Sequence, residues 1–299
     1  LAWLRHLLAG KKALLIFDDV RVASKVRELL PDGGRCAVLV TSRSEKVVRS
    51  IGAATLPLDQ FSMENGRRLL QHHIQDDRAI SEPEAVDTIC QLVGHLPLAI
   101  SIVGSYLAFR PYRSLVEYAE MLSQRLASHE LSEDTARLRE TFALSWAHLD
   151  ERQRRLFALS SLFDGRSFSL EAIGALAEIG WESREQQYQF EDQLHLLVQY
   201  SLLHAEGHRR YRQHSLLANF GREKLLDAET VQRRYVDFFA DLAERTGDNY
   251  KQLRQDWGNL DAAVRFAEQT RQWDAVLRFT AVLKQAWFKR GRFDQARHA

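Results

Sequence analysis

Leu14-Leu15-Ile16-Phe17-Asp18-Asp19-Val20 is an apolar run that ends abruptly in two adjacent carboxylates. A strand covered on both faces reads this way, as the parallel strands of α/β sheets do. Open α/β sheets place ligands at the carboxyl ends of their strands, so Asp18 and Asp19 stand at a ligand position. Two acids there can hold a hydrated Mg²⁺ and orient a water beside a phosphate chain. A second buried strand is expected over 37–40, followed by Thr41-Ser42-Arg43. In a parallel sheet its tip lies beside the first, and an arginine there can reach a terminal phosphate with bidentate hydrogen bonds. Blander readings compete: aspartate is common wherever a strand enters a turn, and Arg43 could be a surface residue at a helix start. The acids and the arginine together favour a nucleotide site. The phosphate cradle that should accompany them, G-x-x-x-x-G-K-S/T, is absent from the 299 residues.

Such a length accommodates about two or three domains, and 45% hydrophobic with 27% charged residues is an ordinary globular composition. A net charge of +1 exerts no global pull on nucleic acid or anionic membrane, so either partner would need a local patch. Cys36 and Cys90 sit in apolar context and read as reduced thiols of a cytoplasmic protein. The longest apolar run, 96–103, is too short to span a bilayer, and no signal peptide is evident. The chain starts at Leu1, so a fragment or processed product is expected, with the missing cradle upstream.

Residues 1–60 alternate helices (1–9, 22–30, 45–50) with strands (12–17, 37–40, 54–57), which implies a parallel sheet. Residues 61–130 are helical: 63–74, then a helix to 93 opened by a capping box of Ser81 and Glu84, then 98–109 and 115–128. The polar stretch 129–134 reads as a linker. Residues 131–228 carry helices over 138–149, 152–162, 169–179 (capped by Ser167 or Ser169), 190–200 and 216–226. A hairpin over 201–213, turning at Glu206-Gly207-His208, completes the helices-plus-hairpin pattern of a winged helix. Residues 229–299 are helical throughout (231–245, 258–269, 273–288 and from 293), with spacings recurring about every 20 residues, as at the start of a helical solenoid. The fold class is therefore α/β plus mostly α.

Gly94-His95-Leu96-Pro97-Leu98 is either a proline kink in a long helix or a break whose Pro97 and Leu98 wall an adenine ring; spacing leaves both open. His214 opens a helix, where backbone N–H groups favour an anion. A lone histidine is more often a bystander. His204 and His208 have metal-pair spacing but lie across a turn with no third ligand. Arg209, Arg210 and Arg212 could touch DNA phosphates. The helix expected to enter a groove instead carries Glu191 and Asp192, which argues against direct DNA binding. Trp257, Trp273 and Trp287 read as packing residues between repeats.

These signals, in this order, resemble the signal-transduction ATPases with numerous domains, of the NB-ARC type. Residues 14–19 resemble its Walker B strand and Thr41-Ser42-Arg43 its sensor strand. Gly94 to Leu98 is similar to its Gly-Leu-Pro-Leu motif, with His95 where a second glycine is usual. Gln213-His214-Ser215 is similar to its Met-His-Asp motif, with Ser215 replacing the carboxylate that braces the domain interface. Asn259-Leu260-Asp261-Ala262-Ala263 and Lys289-Arg290-Gly291-Arg292-Phe293 resemble the TPR-like repeats that follow this core in bacterial members. The resemblance implies a partial P-loop NTPase sheet (1–60), a helical domain (61–130), a winged helix (131–228) and the start of the repeats (229–299).

It also implies an ADP/ATP switch with Mg²⁺. Asp18 would hold the metal, Asp19 would position the hydrolytic water, Arg43 would sense the γ-phosphate, and Pro97 and Leu98 would meet the adenine. His214 would lock the ADP form. A protein or small-molecule signal on the repeats would drive exchange, opening and homo-oligomerisation. ATPase activity would require a P-loop about two βαβ units upstream, so the chain alone is expected to bind nucleotide poorly. The alternatives are a nucleotide-free interaction scaffold and, behind it, a winged-helix DNA-binding regulator.

Overall fold

The computed structural model describes residues 6–31, 35–127, 134–181, 183–247 and 252–289. Two compact units divide the chain, Leu1–Asp59 and Gln60–Ala299.

In the first unit, β1 (Leu14–Phe17) and β2 (Ala37–Val40) pair in parallel, Phe17 opposite Val40. Short helices accompany them, among them α1 (Ala23–Arg27) and α2 (Glu45–Ser50), and residues 6–8 are also helical. The expectation of strands buried on both faces is corrected: Leu14 and Ile16 are each 61% exposed and Leu39 52%. Two strands and a few one-turn helices have too little surface to cover them; only Val20 and Val26 are buried among the unit's described residues. The strand expected over 54–57 does not form. Pro57 has no N–H to give a ladder.

The second unit holds nearly all of the core. Helix α3 (Met63–Ile74), capped by Ser62 accepting from the Asn65 N–H, packs on α6 (Pro97–Ala108). Gly104 permits that contact, because a Cβ there would stand 2.5 Å from the His73 Cβ. Helix α6 also packs on α8 (Asp134–Ala147), and so buries Ile100, Val103, Tyr106 and Leu107. Between α3 and α6 lie α4 (Arg78–Ser81) and α5 (Pro83–Leu92), the latter packed on α7 (Leu115–Ala127). The capping box expected at Ser81 is absent. Pro83 starts α5 at N1, Ser81 ends α4, and the Glu82 carboxylate accepts from Ser114 Oγ and the Val116 N–H, so it caps α7 instead. Cys90 is buried in α5, and burial pushes its thiol up to about 11. Cys36, in the first unit, is half-buried and also free.

After α8 come α9 (Glu151–Ser160), with a complete Asp150/Gln153 capping box, and a 3₁₀ turn, Ser161–Phe163. Next are β3 (Ser167–Ser169), α10 (Leu170–Leu176) and α11 (Arg184–Gln199), then β4 (His204–Gly207), β5 (Arg210–Arg212) and α12 (Ser215–Glu223). The expected hairpin is part of a three-stranded antiparallel sheet, β3-β5-β4, with Phe168 opposite Tyr211. Ser169 caps α10, whereas Ser167 belongs to β3. Helix α11 begins at Arg184, six residues before the expected start, because Ser183 caps it. The turn is made by His208 and Arg209, both at positive φ, while Gly207 sits at the irregularity beside them.

Helix α13 (Ala228–Thr246) packs on α14 (Trp257–Gln269) and α15 (Trp273–Lys289), which also pack on each other. Trp257 is buried, but Trp273 is 59% exposed, so it is not the packing residue expected. The Trp287 side chain, residues 290–299 and the linker expected over 129–134, apart from the backbone of Asp134, lie outside the described residues. No helix among the described residues is long and apolar enough to cross a membrane.

Candidate functional site

The parallel pairing is extended past the strand ends. The Thr41 N–H donates to the Phe17 carbonyl and the Val20 N–H to the Thr41 carbonyl, both at 2.9 Å. Asp18 and Asp19 lie inside this clasp. Asp19 adopts φ 46°, a left-handed conformation in which aspartate is enriched over most residues. Thr41 Oγ1 then serves both acids: it donates to Asp18 Oδ1 and accepts from the Asp19 N–H at 2.9 Å. Ser42 Oγ donates to the Val20 carbonyl (2.7 Å) and accepts from the Ser44 N–H (3.1 Å), which pins the loop carrying Arg43.

Two guanidiniums bracket Asp19. Arg21 donates to Oδ2 from Nη2 at 2.8 Å and from Nε at 3.1 Å, and Arg43 Nε stands 3.7 Å from Oδ1. The carboxylate is 44% exposed and the two arginines 79% and 73%. Ion pairs this open are screened by water and worth little, so an incoming phosphate chain could exchange with them. Among the described residues Asp18 Oδ2 has no hydrogen-bond partner. Mg²⁺ is typically held by one or two carboxylates together with phosphates and waters. The residues present fit that mode rather than an all-protein cage: no group of three His, Cys, Asp or Glu gathers among the described residues. The same finding leaves His204 and His208 without a third ligand.

Pro97 and Leu98 open α6. Gly94 and His95 both take positive φ, and the His95 N–H closes on the Cys90 carbonyl at 2.9 Å, so the chain ends one helix and starts another. Of the two readings of this stretch, a break replaces the kink. Pro97 at N1 is exposed and Leu98 half-buried, while His95 Nδ1 is buried without a hydrogen-bond partner. His214 is the N-cap of α12, and its Nδ1 accepts from the Leu216 N–H at 3.2 Å. The ring itself thus takes one of the N–H groups that an anion would use. Beside it Gln213 is fully buried, donating to the Phe157 carbonyl at 3.0 Å.

Asp18, Asp19 and Arg43 are brought together, Pro97 and Leu98 share one helix start, and His214 caps another. The first group lies in the first unit and the other residues in the second. Sequence reading missed two residues of the strand-tip site. Thr41 stands in the Thr41-Ser42-Arg43 stretch, but its service to both acids follows only from the parallel register that sets Phe17 opposite Val40. Arg21 carried no signal beyond its place two residues after Asp19.

The arginines of the hairpin are consumed internally. Arg209 pairs with Glu191 at 3.1 Å, and Arg212 pairs with Glu206 and donates to the Gly165 carbonyl. Arg210 is buried, bonding Asp256 through two nitrogens at 2.8 and 3.0 Å and Ser167 Oγ at 3.0 Å. Asn259, also buried, completes the cluster by donating to the Ser167 carbonyl (2.7 Å) and accepting from Tyr235 (3.1 Å) and Arg166 (3.0 Å). The hairpin's positive charge is therefore spent within the protein, and of the three arginines Arg210 alone fastens the sheet to the start of α14.

No family model matches the chain. The regulatory protein AfsR of Streptomyces coelicolor is 34% identical over 219 residues, 73% of this chain and 21% of AfsR. AfsR of Streptomyces griseus is 33% identical over 243 residues, 79% of this chain and 24% of that protein. The chain thus spans less than a quarter of the length of these relatives. A Signal Transduction ATPase with Numerous Domains (STAND) protein with a tetratricopeptide repeat sensor, from Pyrococcus horikoshii, superimposes with a TM-score of 0.56 and 16% identity, over 99% of this chain and 44% of that one. The chain is a relative of the AfsR regulatory proteins and has a STAND-like fold.

Proposed function

We propose that this chain is part of an ATP/ADP-dependent switch in a bacterial regulator. In this reading residues 1–60 are the end of a P-loop NTPase domain, 61–130 a helical domain, 131–228 a winged helix and 229–299 the start of TPR-like repeats. The observation that carries it is the cluster of Asp18, Asp19, Thr41 and Arg43 at the carboxyl ends of a parallel pair. Asp18 would hold Mg²⁺, which would offset the charge of a phosphate chain. Asp19, released from its arginines, orients water, and Arg43 turns to the γ-phosphate. Pro97 and Leu98 contact the base and His214 reads the ADP form. The phosphate loop is supplied from outside residues 1–299, and a signal on the repeats drives opening and self-association. The likeness to AfsR and to a STAND protein supports this reading.

The test is calorimetry with MgADP and MgATP on this chain and on a longer protein that supplies G-x-x-x-x-G-K-S/T. The longer protein is expected to bind and the chain alone to bind weakly. Asp18→Ala should remove the Mg²⁺ dependence, and Arg43→Ala should lower preference for ATP about tenfold, roughly 1.4 kcal/mol. Unchanged binding in both variants overturns the assignment. One observation favours a nucleotide-free scaffold instead: Asp19 is already satisfied by Arg21 and Arg43. Asp18→Ala with no effect on signalling would select that reading. The internal pairing of Arg209, Arg210 and Arg212 speaks against DNA.

A further inference from the structure

A cavity of about 250 Å³ opens among α12, α13, α14 and the turn before β3. Three guanidiniums line it, those of Arg166, Arg222 and Arg265, against one carboxylate, Asp164, and two carboxamides, Gln232 and Gln269. Arg222 already neutralises Asp164 at 2.9 Å, which leaves the cavity with an excess of two positive charges. Two of the arginines are held in place by protein. Arg166 donates from Nε to Asn259 and from Nη2 to the Leu162 carbonyl, both at 3.0 Å, and its guanidinium also lies against the Tyr235 hydroxyl. Its stem runs against Gly258, where a Cβ would stand 3.0 Å from Arg166 Cδ, so the helix start leaves room for the side chain. Arg222 is fixed through Nη1 and Nη2 to Asp164 and Asn219, with Nε unspent. Arg265 is exposed and makes no hydrogen bond or ion pair among the described residues.

We propose that this cavity binds a dianionic phosphate group, free or as a phosphomonoester. Guanidiniums with unspent N–H groups on a fixed plane suit tetrahedral oxyanions, and the two carboxamides supply neutral donors. At about 250 Å³ the cavity has room for a phosphate group, while the range typical of pockets that enclose drug-sized ligands is about 300–1,000 Å³. Occupancy would join three elements, the turn before β3 through Arg166, α12 through Arg222 and α14 through Arg265. The proposal does not rest on the nucleotide reading.

The test is thermal unfolding and calorimetry of the whole chain with inorganic phosphate and, separately, with phosphoserine, at constant ionic strength. Phosphate should raise the melting temperature of the wild type. Arg265→Gln, at an exposed and unpaired position, should weaken binding about tenfold, the effect of losing one charged hydrogen bond, and Arg265→Lys should recover part of it. Arg233→Gln, on the exposed side of α13, should bind as the wild type does. Phosphoserine binding at least as tightly as inorganic phosphate identifies the monoester as the ligand, and binding of inorganic phosphate alone identifies the free ion. No response to either, an equal response in Arg265→Gln, or loss of the response in Asp18→Ala would overturn the proposal.

Discussion

Two aspartate–arginine clusters in this chain use the same groups to opposite ends. At the tips of β1 and β2, Asp19 stands between Arg21 and Arg43 in water, with all three side chains at least 44% exposed. Between β5 and the start of α14, Arg210 and Asp256 form a two-pronged pair with side chains only 10% and 12% exposed. The first can be taken apart by a ligand at little cost. The second cannot lose one partner without stranding a charge in the interior. Burial, rather than residue type or pairing, separates an arrangement available for chemistry from one that fastens helices to a sheet.

The sharpest way to break that contrast is Asp256→Ala. It should cost about 3–5 kcal/mol, because it leaves Arg210 buried and uncompensated, and urea unfolding followed by circular dichroism would read it. A loss under 1 kcal/mol would mean that water reaches the pair. The double replacement Arg210→Met with Asp256→Leu should recover most of the loss, since apolar residues of similar volume often match a buried pair. Removal of the Asp150 cap in Asp150→Ala gives an intermediate reference of about 1 kcal/mol, measured in the same way. Asp19→Ala should change stability by roughly 0–1 kcal/mol, as exposed pairs do, while altering nucleotide response in the longer protein. If Asp19→Ala were as damaging as Asp256→Ala, the strand-tip cluster would be structural.

A pH series adds a gentler test within the second unit. Half-buried His73 has its pKa held below the ordinary 6.5, first by burial and then by neighbouring His72. The unfolded state therefore binds more protons as pH falls below 6.5, and stability should decline from there until the folded-state pKa is passed. His73→Gln should flatten that part of the profile.

Much of the architecture was legible because helical periodicity and short apolar runs bounded by turn residues have strong signatures. The parallel pair and the hairpin after α11 follow from apolar patterning and turn residues, whereas the choice between kink and break at Gly94 and His95 needed their positive φ angles. Strand β3 was not legible, because three residues between a 3₁₀ turn and a helix are too few for alternation to show, and Ser167 reads equally well as a cap. Nor could spacing reveal that Arg210 faces inward: a run of Arg209, Arg210 and Arg212 looks like a solvated basic edge until Asp256 closes on it from 46 residues away. At the strand tips the acids and Arg43 were visible in sequence. The hydrogen bonds of Thr41 were not, since they depend on parallel register.

The two free thiols have a practical consequence. Cys36 lies in the first compact unit and Cys90 in the second, each without a disulfide partner. Only the thiolate reacts with alkylating reagents, and Cys90 is both fully enclosed and displaced to about 11. Its labelling must wait for the helical unit to open, whereas half-buried Cys36 answers to local motion near β2. The chain thus carries one reporter thiol per unit, and a single quench experiment resolved by mass would separate local motion near β2 from opening of the helical unit.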